Sequence, residues 1–403
     1  AAGCASTDLR KVYAPFENGD FARAADVAEK VEPKKGVDTL WVHLERGAAL
    51  LAGGRFAASI AAFQAADAEI GRLDERAVVS ASEQTASLSG LVFDDRSTEY
   101  AGTDYDRILV CTSLAIGHAL AGDIELAGVY ARRQLDRQLA VEERRRARIE
   151  RAEREREKAS GEGFGQSYDQ VVANEDFQQQ MTELSTWTNP AYADFSVPYA
   201  YYVGAVLLGA QGAGDEMRDQ ARGLAGILPD SPVAQELVQA PRLPDYVFVL
   251  FENGLAPARV DASILYVTSL GFTRVPIPRL AFQPEGDRAG SLLVLVDGRE
   301  FETEPLDSMD EVVATDFADR LPAIFFRAVV AVVLKEVAAK QVQDSNDNVL
   351  TFIVASILKS VVAPDLRTWR TLPGEHQVAQ VPVPSDGRVR LELLSRRGGS
   401  RGG

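Results

Sequence analysis

The sequence predicts an α-solenoid of stacked helix pairs followed by an α+β domain. The first observation is a repeated phrase in the first 240 residues. A helical stretch rich in small residues runs into a glycine, and a second amphipathic stretch follows. The phrase occurs as Gly19-Asp20-Phe21, Gly54-Arg55-Phe56, Gly122-Asp123-Ile124 and Gly214-Asp215-Glu216. Such antiparallel helix pairs cannot close a core singly and must stack on their neighbours. The second observation is a change of composition at Pro241-Arg242-Leu243-Pro244, after which β-branched and aromatic runs begin. The expected organisation is an N-terminus over 1–6, helical repeats over 7–240, an α+β domain over 245–395 and a disordered tail over 396–403.

The first pair is expected from Thr7 to Val31 and is broken by Pro33-Lys34-Lys35-Gly36. The second covers Thr39 to Leu73, with Leu40, Trp41, Leu44, Ala48 and Leu51 near a helical period. A further helix spans Glu75 to Ser87, and Leu91 to Tyr105 reads as an inserted connection. The third pair covers Asp106 to Leu139. The charged stretch Glu142 to Lys158 reads as a solvated helix with pairs four apart, such as Glu142/Arg146. A docking arm for an acidic partner is the alternative for that stretch, and its nearly balanced signs weaken it. Gly161-Glu162-Gly163-Phe164-Gly165 reads as a hinge and lacks the spacing of a phosphate loop. The fourth pair follows Asn189-Pro190, and a short helix from Ser231 to Gln239 caps the row.

Strands are expected at Asp245 to Phe251, Arg259 to Tyr266, Thr273 to Phe282, Ser291 to Val296 and Arg299 to Glu304. Ser308 and Glu311 have the spacing of a capping box for a helix from Met309 to Ala318. Pro322 is expected to open a separate helix through Lys340. A third helix covers Val349 to Val362. The last strands, His376 to Val383 and Arg388 to Leu394, need partners, because a lone hairpin is marginal in water.

Composition excludes several classes. Hydrophobic residues make up 46% and charged residues 25%, as in folded proteins. A net charge of −16 argues against nonspecific nucleic-acid binding and against a broad electrostatic grip on anionic lipid. Cys4 and Cys111 form no disulfide framework, and the three histidines, His43, His118 and His376, lack metal-ligand spacing. Cys111, inside an apolar run, reads as a buried small hydrophobe. No cofactor and no metal are expected.

Cys4 differs. The small residues Ala1-Ala2-Gly3 immediately before Cys4 are what a lipoprotein signal peptidase cuts, leaving Cys4 to carry diacylglycerol, although Ala1 stands where leucine is commoner. An acylated Cys4 would anchor the chain without a spanning helix. The absence of an acidic residue at Ala5 and Ser6 favours the outer membrane. The alternative is a chance Gly-Cys.

Three segments carry a family resemblance. Phe93-Asp94-Asp95-Arg96 with Glu99-Tyr100 precedes a pair bearing Ala131-Arg132-Arg133. Phe251-Glu252-Asn253-Gly254-Leu255-Ala256-Pro257 follows the first strand. Arg367-Thr368-Trp369-Arg370-Thr371-Leu372-Pro373 precedes Gln377-Val378-Ala379. This order resembles an uncharacterised family of bacterial lipoproteins with N-terminal tetratricopeptide-like repeats and a C-terminal α+β domain. The resemblance covers nearly the whole chain. It implies an envelope location and lipid at Cys4, and it transfers no catalytic residue. The charged segment and the alanine-rich repeats depart from it.

No nucleophile elbow, zinc-protease motif, phosphate loop or dinucleotide fingerprint occurs in the sequence. Asp94-Asp95 as a metal site and Glu375-His376 as an acid–base pair are both outweighed by structural readings. The expected function is therefore an envelope scaffold or adaptor that is not an enzyme. An accessory regulator of cell-wall synthesis and a hydrolase with dispersed carboxylates remain as alternatives. The expected partners are envelope proteins, and self-association stays open. Tyr100, Tyr105, Tyr199, Tyr201 and Tyr202 are the candidate contacts, because tyrosine offers area at low entropic cost. Core packing is the competing reading for all five.

Overall fold

The computed structural model describes residues 3–33, 38–82, 99–161, 173–192, 196–268, 271–344 and 364–395. The helix expected at 349–362, the Asp94-Asp95 pair, most of the 161–165 hinge and the 396–403 tail lie outside these residues, as does the side chain of Cys4.

The N-terminal part is helical. It comprises α1 (Gly3–Glu17), α2 (Phe21–Ala28), α3 (Thr39–Ala52), α4 (Phe56–Ser82), α5 (Asp104–Leu120), α6 (Ile124–Leu139), α7 (Val141–Gly161), α8 (Glu175–Ser185), α9 (Pro198–Ala210), α10 (Gly214–Ile227) and α11 (Pro232–Gln239). Four pairs, α1/α2, α3/α4, α5/α6 and α9/α10, are closed by the same turn. Gly19, Gly54 and Gly122 take φ of +74°, +73° and +86°. The next residue returns its N–H to a carbonyl five residues back: Asp20 to Pro15, Arg55 to Leu50, Asp123 to His118. This left-handed stop satisfies carbonyls at the helix end, and glycine adopts it without a Cβ clash. The Asp20 and Asp123 carboxylates then accept from the N–H groups of Arg23 and Leu126, which caps the second helix.

The fourth turn lies beside Gly214 as expected, but another glycine takes the left-handed position. Gly212, at φ +79°, takes the left-handed position, and Ala213 returns its N–H to Leu208. Gly214 is already the first residue of α10. Two glycines flank Ala213, and the one adjoining the end of α9 is the one the turn requires.

Each helix of the row packs on the next, and α9 packs on α6 across the intervening α7 and α8. Glutamines tie the third pair to the fourth. Gln138 accepts from the Val197 N–H at 2.9 Å, Gln134 donates to the Ala200 carbonyl, and Gln220 donates to the Ala131 carbonyl. Helices α7 and α8 leave the row and pack on α12.

The C-terminal part holds β1 (Tyr246–Asn253), β2 (Ala258–Asp261), β3 (Ile264–Thr268), β4 (Gly271–Val275), β5 (Pro278–Ala281), β6 (Ala289–Val296), β7 (Arg299–Glu302), β8 (Glu304–Ser308), α12 (Met309–Asp344), β9 (Glu375–Pro382) and β10 (Arg390–Ser395). One antiparallel sheet has the order β1-β9-β8 and another β10-β6-β7, with β2–β5 and β3–β4 as separate pairs. The late strands thus return to earlier ones, as their apolar character requires. The strand expected over 273–282 is split into β4 and β5, because Pro276 and Pro278 interrupt the ladder. Pro322 opens no new helix and lies inside α12. Burial of Phe317, Leu321 and Phe325 around it outweighs the lost hydrogen bond.

The compositional shift at 241–244 marks a change of secondary structure, while the core runs on across it. One apolar cluster includes Leu9, Leu44, Phe63 and Tyr199 together with Leu306, Phe325, Trp369 and Val378. A second, small cluster of Val294, Val296, Ala379 and Val381 lies between the two larger sheets.

Candidate functional site

The first helices of the pairs, α1, α3, α5 and α9, share one side of the row, whose residues meet the C-terminal part that covers it. Residues 364–374, which form neither helix nor strand, lie against α1 and α3. The Trp41 indole on α3 donates to the Thr368 carbonyl at 2.8 Å. Trp369 is 1% exposed and packs against Phe63 of α4, with ring centroids 5.7 Å apart. The Arg367 guanidinium pairs with Asp38 and Asp365 and lies over the Tyr100 ring. Arg370 lies over the Tyr13 ring at 4.5 Å and pairs with Glu17.

Glu45 fastens this strap. It is fully buried, one turn beyond Trp41 on α3. Oε1 accepts from the Arg370 N–H at 2.7 Å and the Tyr13 hydroxyl at 2.9 Å. Oε2 accepts from the Thr371 N–H at 3.1 Å and its hydroxyl at 2.7 Å. Burial pushes the carboxyl up to about 7, and these four donors oppose that rise. Glu45 was not among the sequence candidates. Its signal was an acid inside an otherwise apolar helical stripe, which a buried hydrogen-bond acceptor explains.

Over α9 the cover is the first sheet. Asp307, at the end of β8, accepts from the Tyr199 N–H at 3.0 Å and so caps α9 from another element. Its other oxygen accepts from His376 Nδ1 at 2.6 Å. The His376 ring stacks on Tyr199, with centroids 3.9 Å apart. Burial works against a charged His376, and Asp307, followed by Glu252 and Glu375, outweighs it and raises the pKa. At 1% exposure His376 ties β9 to β8 and α9, as the structural reading of Glu375-His376 expected.

The tyrosine expectation is corrected by burial. Tyr100, Tyr105, Tyr199 and Tyr202 are 6%, 2%, 2% and 0% exposed, so none offers contact area. Burial pushes all four phenols up. The Tyr100 hydroxyl donates to Asp106 at 2.8 Å, inside the capping box of α5. Tyr201 is half-buried over Gly223, where an added Cβ would meet its ring at 2.5 Å. The same amphipathic residue type serves a wet contact face or a covered inner face, and here the cover comes from the same chain.

A cleft of about 300 Å³ opens beside Asp307, lined among others by Trp187, Tyr192, Arg288, Asp310, Glu311 and Glu375. Its carboxylates are engaged. Asp310 holds Arg288 through two contacts at 2.7 and 2.9 Å, Glu375 accepts from Asn253 and Gln377, and Glu311 accepts from Asn189. Arg288 also donates to the Leu255 carbonyl, so the 251–257 motif and the strap end meet around one guanidinium. Among the described residues no group of three or more His, Cys, Asp or Glu could hold a metal ion, and no described helix is long and apolar enough to cross a membrane. Cys111 is fully buried, and burial pushes its thiol up to about 12.

The charged helix α7 has work inside the molecule. Arg144 and Arg148 pair with Asp104 at the start of α5, and Arg145 and Arg148 with Asp319 of α12. Arg320 of α12 also reaches Asp104. Exposed apolar side chains include Ile149 on α7 itself, Leu120 at the end of α5, Leu126, Val129 and Leu139 on α6, and Leu391 and Leu393 on β10. No family model, curated protein or solved structure matches this chain.

Proposed function

We propose that this protein is a lipid-anchored scaffold or adaptor of the bacterial cell envelope, holding other proteins by contact with its helical repeats. In this reading the pairs form an α-solenoid of tetratricopeptide-like repeats, and Cys4 carries the acyl anchor that confines it to the outer membrane. The observation that supports binding is the strap itself. The inner face of α1 and α3 grips a segment without regular structure through its backbone, by Trp41 to the Thr368 carbonyl and by Glu45 to two successive N–H groups. Helical repeats bind chains on such surfaces.

Because the chain's own segment occupies that face, a partner meets the outer surface of the row. Leu126 and Val129 stand three apart on α6, 41% and 51% exposed, and so share one helix face. The test is a photo-crosslinking residue at position 129 in cells, followed by recovery from native membranes. A discrete protein adduct is expected, and its loss with Leu126→Lys at unchanged melting temperature. Recovery without any adduct would end the scaffold reading. Mass spectrometry of the recovered chain should find a fatty-acylated Cys4, and an unmodified chain still bearing Ala1 to Gly3 would end the anchor reading.

A further inference from the structure

The second sheet, of order β10-β6-β7, ends at β10, and no described strand pairs with that strand's other edge. A free edge is a row of unpaired backbone donors and acceptors, which proteins usually blunt. β10 is regular from Arg390 to Leu394, and its irregularity comes only between Leu394 and Ser395. Leu391 and Leu393 are 54% and 67% exposed, although they stand opposite the buried Val294 and Leu292 of β6. The core-facing side of this sheet therefore continues outward past its cover.

We infer that β10 pairs antiparallel with β10 of a second copy, joining two three-stranded sheets into one of six. The register follows from charge. Arg390 and Glu392 lie on one face of the strand and Leu391 and Leu393 on the other, with Val389 one residue before its start. With Leu391 opposite the second copy's Leu391, each Arg390 faces a Glu392 and each Val389 faces a Leu393. Charges then meet opposite charges on one face, and an unbroken apolar stripe forms on the other. A shift of one step either way places Glu392 opposite Glu392 or Arg390 opposite Arg390, and like charges directly opposite are destabilising. Within one chain Arg390 already pairs with Glu392, so pairing exchanges an exposed internal contact for two across the dyad. The surface involved is a single strand edge, below the area of a tight interface, so the dimer is weak and concentration-dependent. This inference does not rest on the repeats binding a partner.

The experiment is sedimentation velocity on the full chain carrying Cys4→Ser, so that no acyl chain contributes, over a series reaching high micromolar concentration. The mass should rise from monomer toward dimer. Arg390→Glu alone and Glu392→Arg alone should each weaken association about tenfold or more, from like charges met twice across the dyad. The double variant Arg390→Glu/Glu392→Arg should recover it. An equimolar mixture of the two single variants should also dimerise, which a folding defect in either could not produce. Val129→Lys, on the repeat surface, should leave association unchanged. A monomer at every concentration, or single reversals that leave association intact, would overturn the pairing. Failure of both the double variant and the mixture would overturn the register.

Discussion

The indole Nε1 of Trp41 donates a 2.8 Å hydrogen bond to the carbonyl of Thr368, 327 residues further along the chain. The contact joins the second helix pair to the strap before β9, and Trp369 follows it into the core. Trp369→Ala should therefore cost about 3–5 kcal/mol, the range for truncating a buried large aromatic. Trp41→Phe keeps most of the shape and should cost about 1 kcal/mol for the lost hydrogen bond. With a core shared between the two parts, chemical denaturation of both variants should show coincident transitions by far-ultraviolet circular dichroism and tryptophan fluorescence. Two separated transitions would show that the helical and sheet parts unfold independently.

Glu45 makes stability depend on pH. Its ordinary value is 4.5, and burial raises it to about 7 in the folded chain. A raised acid holds its proton more tightly when folded, so its contribution is full below about pH 4.5 and is lost as pH rises through about 7. Across that window the shift corresponds to about 3 kcal/mol. Glu45→Gln cannot ionise. The stability of the wild type minus that of the variant should fall with rising pH between those limits, measured by urea denaturation. A flat difference would show that Glu45 stays ionised in the folded chain throughout.

The turns at Gly19, Gly54 and Gly122 were legible because a left-handed helix stop nearly demands glycine, and the Gly-Asp phrase supplies the next helix's cap as well. The return of β9 and β10 was legible because apolar strands must find a ladder. The cover of the inner face was not. Periodicity says that Leu40, Leu44 and Tyr199 face something apolar, and carries no information on whether that is the next helix or a segment as distant as Thr368 is from Trp41, 327 positions away. The tyrosines were misplaced for this reason. Pro322 was misread because a local rule was set against burial on three sides that only the assembled core provides. Glu45 and Asp104 left a faint signal, acids at helix positions where neighbours are buried, and their partners lie far off in sequence.

Asp104 is 2% exposed and receives Arg144, Arg148 and Arg320. Burial pushes its carboxyl up, but Arg148, Arg320 and Arg144 together outweigh burial and hold it below its ordinary range. Asp104→Asn leaves three guanidinium groups without that charge and should cost about 3 kcal/mol near neutral pH. Arg146→Ala removes a contact with Glu142 in which both side chains are at least 70% exposed, and should change stability by less than about 0.5 kcal/mol. Because the Asp104 carboxyl is lowered, its contribution is present above its ordinary value of 3.8 and lost as pH falls below it. Equal and small effects of both substitutions would mean that α7 is held by something other than its arginines.

Two glycines with open space around them should respond oppositely to the same substitution. A Cβ added at Gly122 or at Gly71 meets nothing within 4 Å, so packing does not decide either case. Gly122 stands at φ +86° in the turn between α5 and α6, where an L side chain is strained. Gly122→Ala should destabilise by about 1–2 kcal/mol. Gly71 lies within α4, where alanine is the better helix former and restricts the unfolded chain. Gly71→Ala should stabilise by about 0.5–1 kcal/mol. Both are read from urea midpoints at unchanged slope. If Gly122→Ala proved stabilising, its turn would have to be right-handed, and the shared geometry of the four helix pairs would fail at its third member.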